Sequence, residues 1–98
     1  MEITITARHQ SLEASLREYL EGRLARLARI FERLTAVHAI LDHEHAQHVV
    51  ELTASAPPHH RFSARAEEAG LRYAIDLAEH KIGAQVREWK DRLVDHRP

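Results

Sequence analysis

The stretch TAVHAILDHEHAQHVVELTASAPPHHRFSARA, residues 35–66, decides the fold. Val37, Ala39 and Leu41 fall on one face, Val50, Leu52 and Ala54 repeat the pattern, and His60, Phe62 and Ala64 repeat it again. His59, Arg61, Ser63 and Arg65 take the opposite face of the last run. A period of two is that of a half-buried strand, because successive side chains point to opposite sides of a pleated backbone. Short polar breaks separate the three runs, so a three-stranded meander is predicted.

On both sides of this core the period changes. Upstream, Leu12, Leu16, Tyr19 or Leu20, Leu24, Leu27, Phe31 and Leu34 recur at spacings of three and four. That spacing predicts a long amphipathic helix, with Ser11 as its N-cap. Gly22 interrupts it at a cost of about 1 kcal/mol relative to alanine, which the apolar stripe should override. Before the helix, EITITAR alternates Ile3 and Ile5 with Thr4 and Thr6, predicting a first strand. Downstream, Leu71, Ile75, Ala78, Ile82, Val86, Trp89 and Leu93 predict a second helix from about Glu68 to Val94.

The expected architecture is therefore α+β in the order β-α-β-β-β-α, one domain over residues 1–98. The first strand, helix and second strand form a right-handed crossover, and both long helices pack on one face of a four-stranded sheet. The other face, carrying Thr4, Thr6, His38, Asp42, Glu51 and Thr53, is left to solvent or a partner.

Composition narrows the function. The chain has 14 Lys plus Arg, 15 Asp plus Glu and no cysteine. Without sulfur there is no disulfide framework, thiolate zinc site or cysteine nucleophile. No run of about 18 apolar residues exists, and MEITITARH is not a basic segment followed by an apolar one, so neither membrane span nor signal peptide is expected and a cytoplasmic protein is. No glycine-rich phosphate loop or nucleophile–histidine–carboxylate set is evident, so no enzyme, cofactor or small-molecule substrate is expected. A net charge of -1 by itself argues against nucleic acid. Distribution matters more: 12 of the 14 cations are arginine, whose planar fork pairs with phosphate.

Arg23, Arg26, Arg29 and Arg33 follow one another at spacings of three, three and four, which makes a basic stripe along the first helix. Such a stripe is either a solvated flank or a ridge for phosphate backbones, bound by charge with little sequence information. Arg87 extends the reading to the last helix. Histidine is also dense, with His43, His45 and His48 around one hairpin turn and His59 and His60 at the other. The two turns lie at opposite ends of the sheet, about eight residues of roughly 3.4 Å each apart, so the five cannot meet. His43, His45 and His48 alone could converge on a divalent transition metal, or decorate a solvated tip. Nine histidines could also make the domain more basic as pH falls toward 5.5.

The segments ITARHQSLEASLREYLEGRLARLARIFERLTAVHAIL, HVVELTASA, FSARAEE and YAIDLAEHKIGAQV together resemble the ribosome hibernation promoting factors and ribosome-associated inhibitors, also labelled sigma-54 modulation or ribosomal subunit interface proteins. The resemblance covers nearly the whole chain in one frame. It implies the same β-α-β-β-β-α fold, similar to double-stranded RNA-binding domains. It implies a translation inhibitor that occupies the decoding channel of the small ribosomal subunit in stationary phase, held against ribosomal RNA by basic side chains of both helices. On the matching positions these are Arg23, Arg26 and Arg29, then Lys81, Lys90 and Arg92; Arg33 and Arg87 come from the stripe. The last helix has Ala84 and Glu88 where the family usually has cations, which implies a diluted positive surface. A chain of 98 residues corresponds to the short family form, which implies a separate ribosome modulation factor wherever ribosomes pair. The competing reading is a protein-interaction module that uses the exposed sheet face and does not bind ribosomes.

Overall fold

In the computed structural model, which describes residues 1–95, the polar break at His43–His48 is a two-residue hairpin turn. Glu44 pairs with Gln47, and His45 and Ala46 between them have φ of 50° and 63°. Two successive residues in the left-handed region give the turn whose twist matches the flanking strands, although both carry a Cβ where glycine or asparagine is favoured. The strands on either side are β2 (Ala36–Glu44) and β3 (Gln47–Ala56), and a turn through Pro57, Pro58 and His59 leads to β4 (His60–Glu68). With β1 (Glu2–Ala7), α1 (Ala14–Ile30) and α2 (Leu71–Asp95), the order is the expected β-α-β-β-β-α.

The sheet runs β1-β2-β3-β4, with β1 parallel to β2 and the other pairs antiparallel. A parallel neighbour requires a crossover, and α1 supplies it. Most inward positions of the meander are filled as the alternation demands: Val37, Ala39, Leu41, Val50, Leu52, Ala54 and Phe62 are buried, while His60 and Ala64 on β4 are only half-buried. Leu20, Leu24 and Leu27 from α1 and Ile75, Ile82 and Val86 from α2 close over that face. No charged or polar residue is buried among the described residues, so the fold rests on apolar packing.

Both helices differ from their predicted limits. α1 begins at Ala14, and its N-cap is Glu13 without a side-chain hydrogen bond; Ser11 stands outside the helix. It ends at Ile30, so Arg33 lies in the turn that follows and leaves the helical stripe. The reason is length matching. Seventeen residues at about 1.5 Å span roughly 25 Å, close to the roughly 30 Å of a nine-residue strand, and the chain must return to Thr35 beside Glu2. α2 starts three residues later than predicted, because Glu68 still pairs with His48 in the sheet.

Candidate nucleic-acid interface

The two helices meet along a seam that the first arginine of the stripe helps to close. Arg23 Nε lies 2.6 Å from Glu79 Oε1 and its Nη2 lies 3.3 Å from Asp76 Oδ1, both on α2. The Nε–H is not aimed along that short contact, so the link is charge pairing more than an aligned hydrogen bond. Tyr19 donates its hydroxyl to the same Asp76 at 2.5 Å, which holds the phenol above its usual pKa. Arg72 lies over the Tyr19 ring, 4.4 Å from its centre. Arg23 is three-quarters shielded and bound to two carboxylates, so its charge is spent on joining α1 to α2.

The later arginines escape this fate for a geometric reason. A three-residue step turns about 300°, so each falls about 60° short of the last, and the stripe winds from the seam toward open solvent. Arg26 and Arg29 are exposed, and Arg33 is exposed in the following turn. None of the three has an ion-pair partner among the described residues. Arg29, Arg33, Lys90 and Glu32 line an open cleft of about 510 Å³ at the C-terminal end of α1. Lys90 Nζ donates to the Ile30 carbonyl at 2.9 Å, placing a cation where the helix dipole is negative. Three cations outnumber the single carboxylate, and the cleft is positive.

Lys81 and Arg92 fall elsewhere. Lys81 is nine residues from Lys90, half a turn out of phase, and donates to the Arg65 carbonyl of β4 at 3.0 Å. Arg92, on the same flank as Lys81, pairs with Glu88 one turn before it at 2.6 Å. Arg87 is exposed, with its guanidinium folded toward Gly83, where an added Cβ would meet Nη1 at 3.3 Å. The eight predicted cations thus divide. Arg29, Arg33 and Lys90 share one cleft with Arg26 exposed on the turn before it, Arg87 sits on the solvent side, Lys81 and Arg92 take the β4 flank, and Arg23 bridges α1 to α2. The stripe reading omits Arg72, although it lies eighteen residues, five whole helical turns, before Lys90 and so shares its flank.

Of the two readings of the histidines, the hairpin shows a decorated tip. His43 and His48 are cross-strand partners with rings stacked 4.3 Å apart, but His45 stands in the turn, and no three potential ligands group together among the described residues. They are not a uniform pool of titrating groups either. His9 Nδ1 lies 2.7 Å from Asp42 Oδ1, and that hydrogen bond holds the imidazole above its ordinary pKa and the carboxyl below its own. Partial burial, with His43 beside it, pushes His48 down. At the other turn His60 stacks on Trp89, ring centres 4.2 Å apart, and Phe31 meets the indole edge-on at 4.9 Å. The indole is core packing, as its place on the apolar stripe predicted.

Among the described residues no helix is long and apolar enough to cross a membrane. Residues 3–94 match the family described as sigma 54 modulation protein / S30EA ribosomal protein. A ribosome hibernation promoting factor from Acidithiobacillus ferridurans is 34% identical over 79 residues, covering 78% of this chain and all of that protein. A ribosomal subunit interface protein from Coxiella burnetii superposes with a TM-score of 0.85 at 24% identity, over 93% of this chain and 99% of its own. The N-terminal domain of Protein Y from Thermus thermophilus superposes at 0.81 with 25% identity, over 91% and 99%.

Proposed function

The chain belongs to the sigma 54 modulation protein / S30EA ribosomal protein family, and from that premise we propose that it binds the small ribosomal subunit in the cytoplasm and holds ribosomes in hibernation. In this reading the domain occupies the decoding channel during stationary phase or stress, excluding messenger and transfer RNA, and its action is occupancy, not catalysis. The observation that carries the reading is the gathering of Arg29, Arg33 and Lys90 around one cleft, with Arg26 exposed on the preceding turn of α1, in a protein whose net charge is only -1.

Phosphate recognition follows from the residues present. Each guanidinium offers a planar pair of donors to a phosphate edge, and each neutralised phosphate releases condensed counterions. Arg92 lies on the β4 flank and pairs with Glu88 there, and Arg23 pairs with α2, so the interface rests on few cations. Binding is therefore salt-dependent, with a slope set by the few phosphates that these cations neutralise. Where ribosomes pair, a separate modulation factor supplies the bridge between them.

The test is cosedimentation with small subunits across a salt series, for the native chain and for Arg26, Arg29 and Arg33 changed together to alanine. The triple variant should bind more weakly, with the slope of log K against log salt shallower by about 0.7–0.9 for each phosphate that is no longer neutralised. Native binding that ignores salt, or that survives the triple change intact, refutes the arginine interface. No binding even at low salt refutes the ribosomal reading and turns attention to the sheet face as a protein-interaction surface.

A further inference from the structure

The two edges of the sheet are treated differently. On β4, Gln85 of α2 behaves like an extra strand residue: its Oε1 accepts from the Ser63 N–H at 3.3 Å and its Nε2 donates to the Ser63 carbonyl at 2.7 Å. Lys81 covers the Arg65 carbonyl beside it. Exposed backbone donors and acceptors at a sheet edge invite pairing with another chain, and here side chains cap the middle of that edge at Ser63 and Arg65.

β1 has no such cover. Glu2 N–H donates to the Thr35 carbonyl and Arg8 N–H to the Leu41 carbonyl, so the even-numbered residues face β2. By the alternation of a strand, the N–H and C=O groups of Ile3, Ile5 and Ala7 point to the free edge, and no partner reaches them among the described residues. The strand interior, Ile3-Thr4-Ile5-Thr6-Ala7, holds no charge and no proline, the usual deterrents to edge pairing.

We infer that β1 pairs antiparallel with β1 of a second copy of this chain, about a two-fold axis through Ile5, joining two sheets into one of eight strands. The register follows from parity and charge. Only the odd residues can exchange hydrogen bonds across the edge, so the paired residues are Ile5 with Ile5, and Ile3 with Ala7 in both directions. That register uses all three outward N–H and all three outward C=O groups of each chain. It sets Thr4 opposite Thr6 and Glu2 opposite Arg8, in the positions where side chains approach most closely. Both charges are exposed and have no ion pair within the chain among the described residues. The strand is thus self-complementary: acid at one end, base at the other, with Ile3 and Ile5, already packed against the core, meeting Ala7 and Ile5 of the other copy. The inference stands apart from the ribosomal reading, since it uses neither the α1 arginines nor Lys90.

Analytical ultracentrifugation from about 10 µM to about 1 mM tests it, since so short a pairing is a weak interface. A reversible monomer–dimer equilibrium is expected. Glu2→Arg alone and Arg8→Glu alone each replace two attractions with two repulsions and should weaken it about tenfold, whereas the double reversal restores it. A second readout fixes the register in a chain that has no cysteine of its own. Thr4→Cys protein mixed with Thr6→Cys protein should form a disulfide faster than either alone, because a diagonal partner lies at roughly 7–8 Å, beyond easy bridging. A monomer at every concentration, or self-association indifferent to both reversals, overturns the inference.

Discussion

Replacing Arg23 by alanine separates holding the fold together from holding RNA. The guanidinium is 25% exposed, Glu79 is 12% exposed and Asp76 38%. An exposed pair contributes at most about 1 kcal/mol, but loss of Arg23 leaves the shielded Glu79 carboxylate without its cation and removes packing over Tyr19. The expected loss of stability is about 1–2 kcal/mol, or roughly 5–15 °C in Tm for a domain of this size. Arg26→Ala and Arg29→Ala, on open surface, should stay within about 0.5 kcal/mol of the native chain. Urea unfolding measures all three, with the denaturant slope unchanged if only the native seam is affected. Changing Glu79 to glutamine in the Arg23→Ala background should recover part of the loss, because the unpaired charge is its main source. The reasoning is refuted if Arg23→Ala unfolds like the native chain and instead loses ribosome binding as Arg26→Ala does.

Three further outcomes are expected. Gly22 lies mid-helix with open space where a Cβ would be, so Gly22→Ala should raise stability by about 0.5–1 kcal/mol, read as a higher urea midpoint. Ala46, at a φ of 63°, should gain about 0.5–1 kcal/mol on replacement by glycine, with no change in hairpin register by NMR. The pairing of His9 with Asp42 raises the imidazole above 6.5 and lowers the carboxyl below 3.8, so its contribution is fully present between those two values. It fades as pH rises through the raised value of His9, and again in strong acid as Asp42 protonates. Asp42→Asn should bring the His9 titration seen by NMR back down toward 6.5.

The two periods in the sequence determined the architecture because they record which side of each element faces apolar neighbours. Leu20, Leu24 and Leu27 at helical spacing, and Val37, Ala39 and Leu41 at strand spacing, can be buried in only one way each. The cation-rich stripe was legible for the same reason: spacing fixes direction on a helix. What spacing cannot fix is where the helix stops or what stands opposite it. Arg33 left α1 because the crossover had to end level with β1, a matter of matching lengths across the sheet. Arg23 became structural because α2, about fifty residues further on, sets Asp76 and Glu79 against it. Lys81 and Lys90 read alike along the chain, yet half a turn sends one to the edge of β4 and the other to the end of α1. Local chemistry wrote the elements, and long-range packing decided which charges remained free to act, because a cation's availability depends on the neighbours that the fold brings to it.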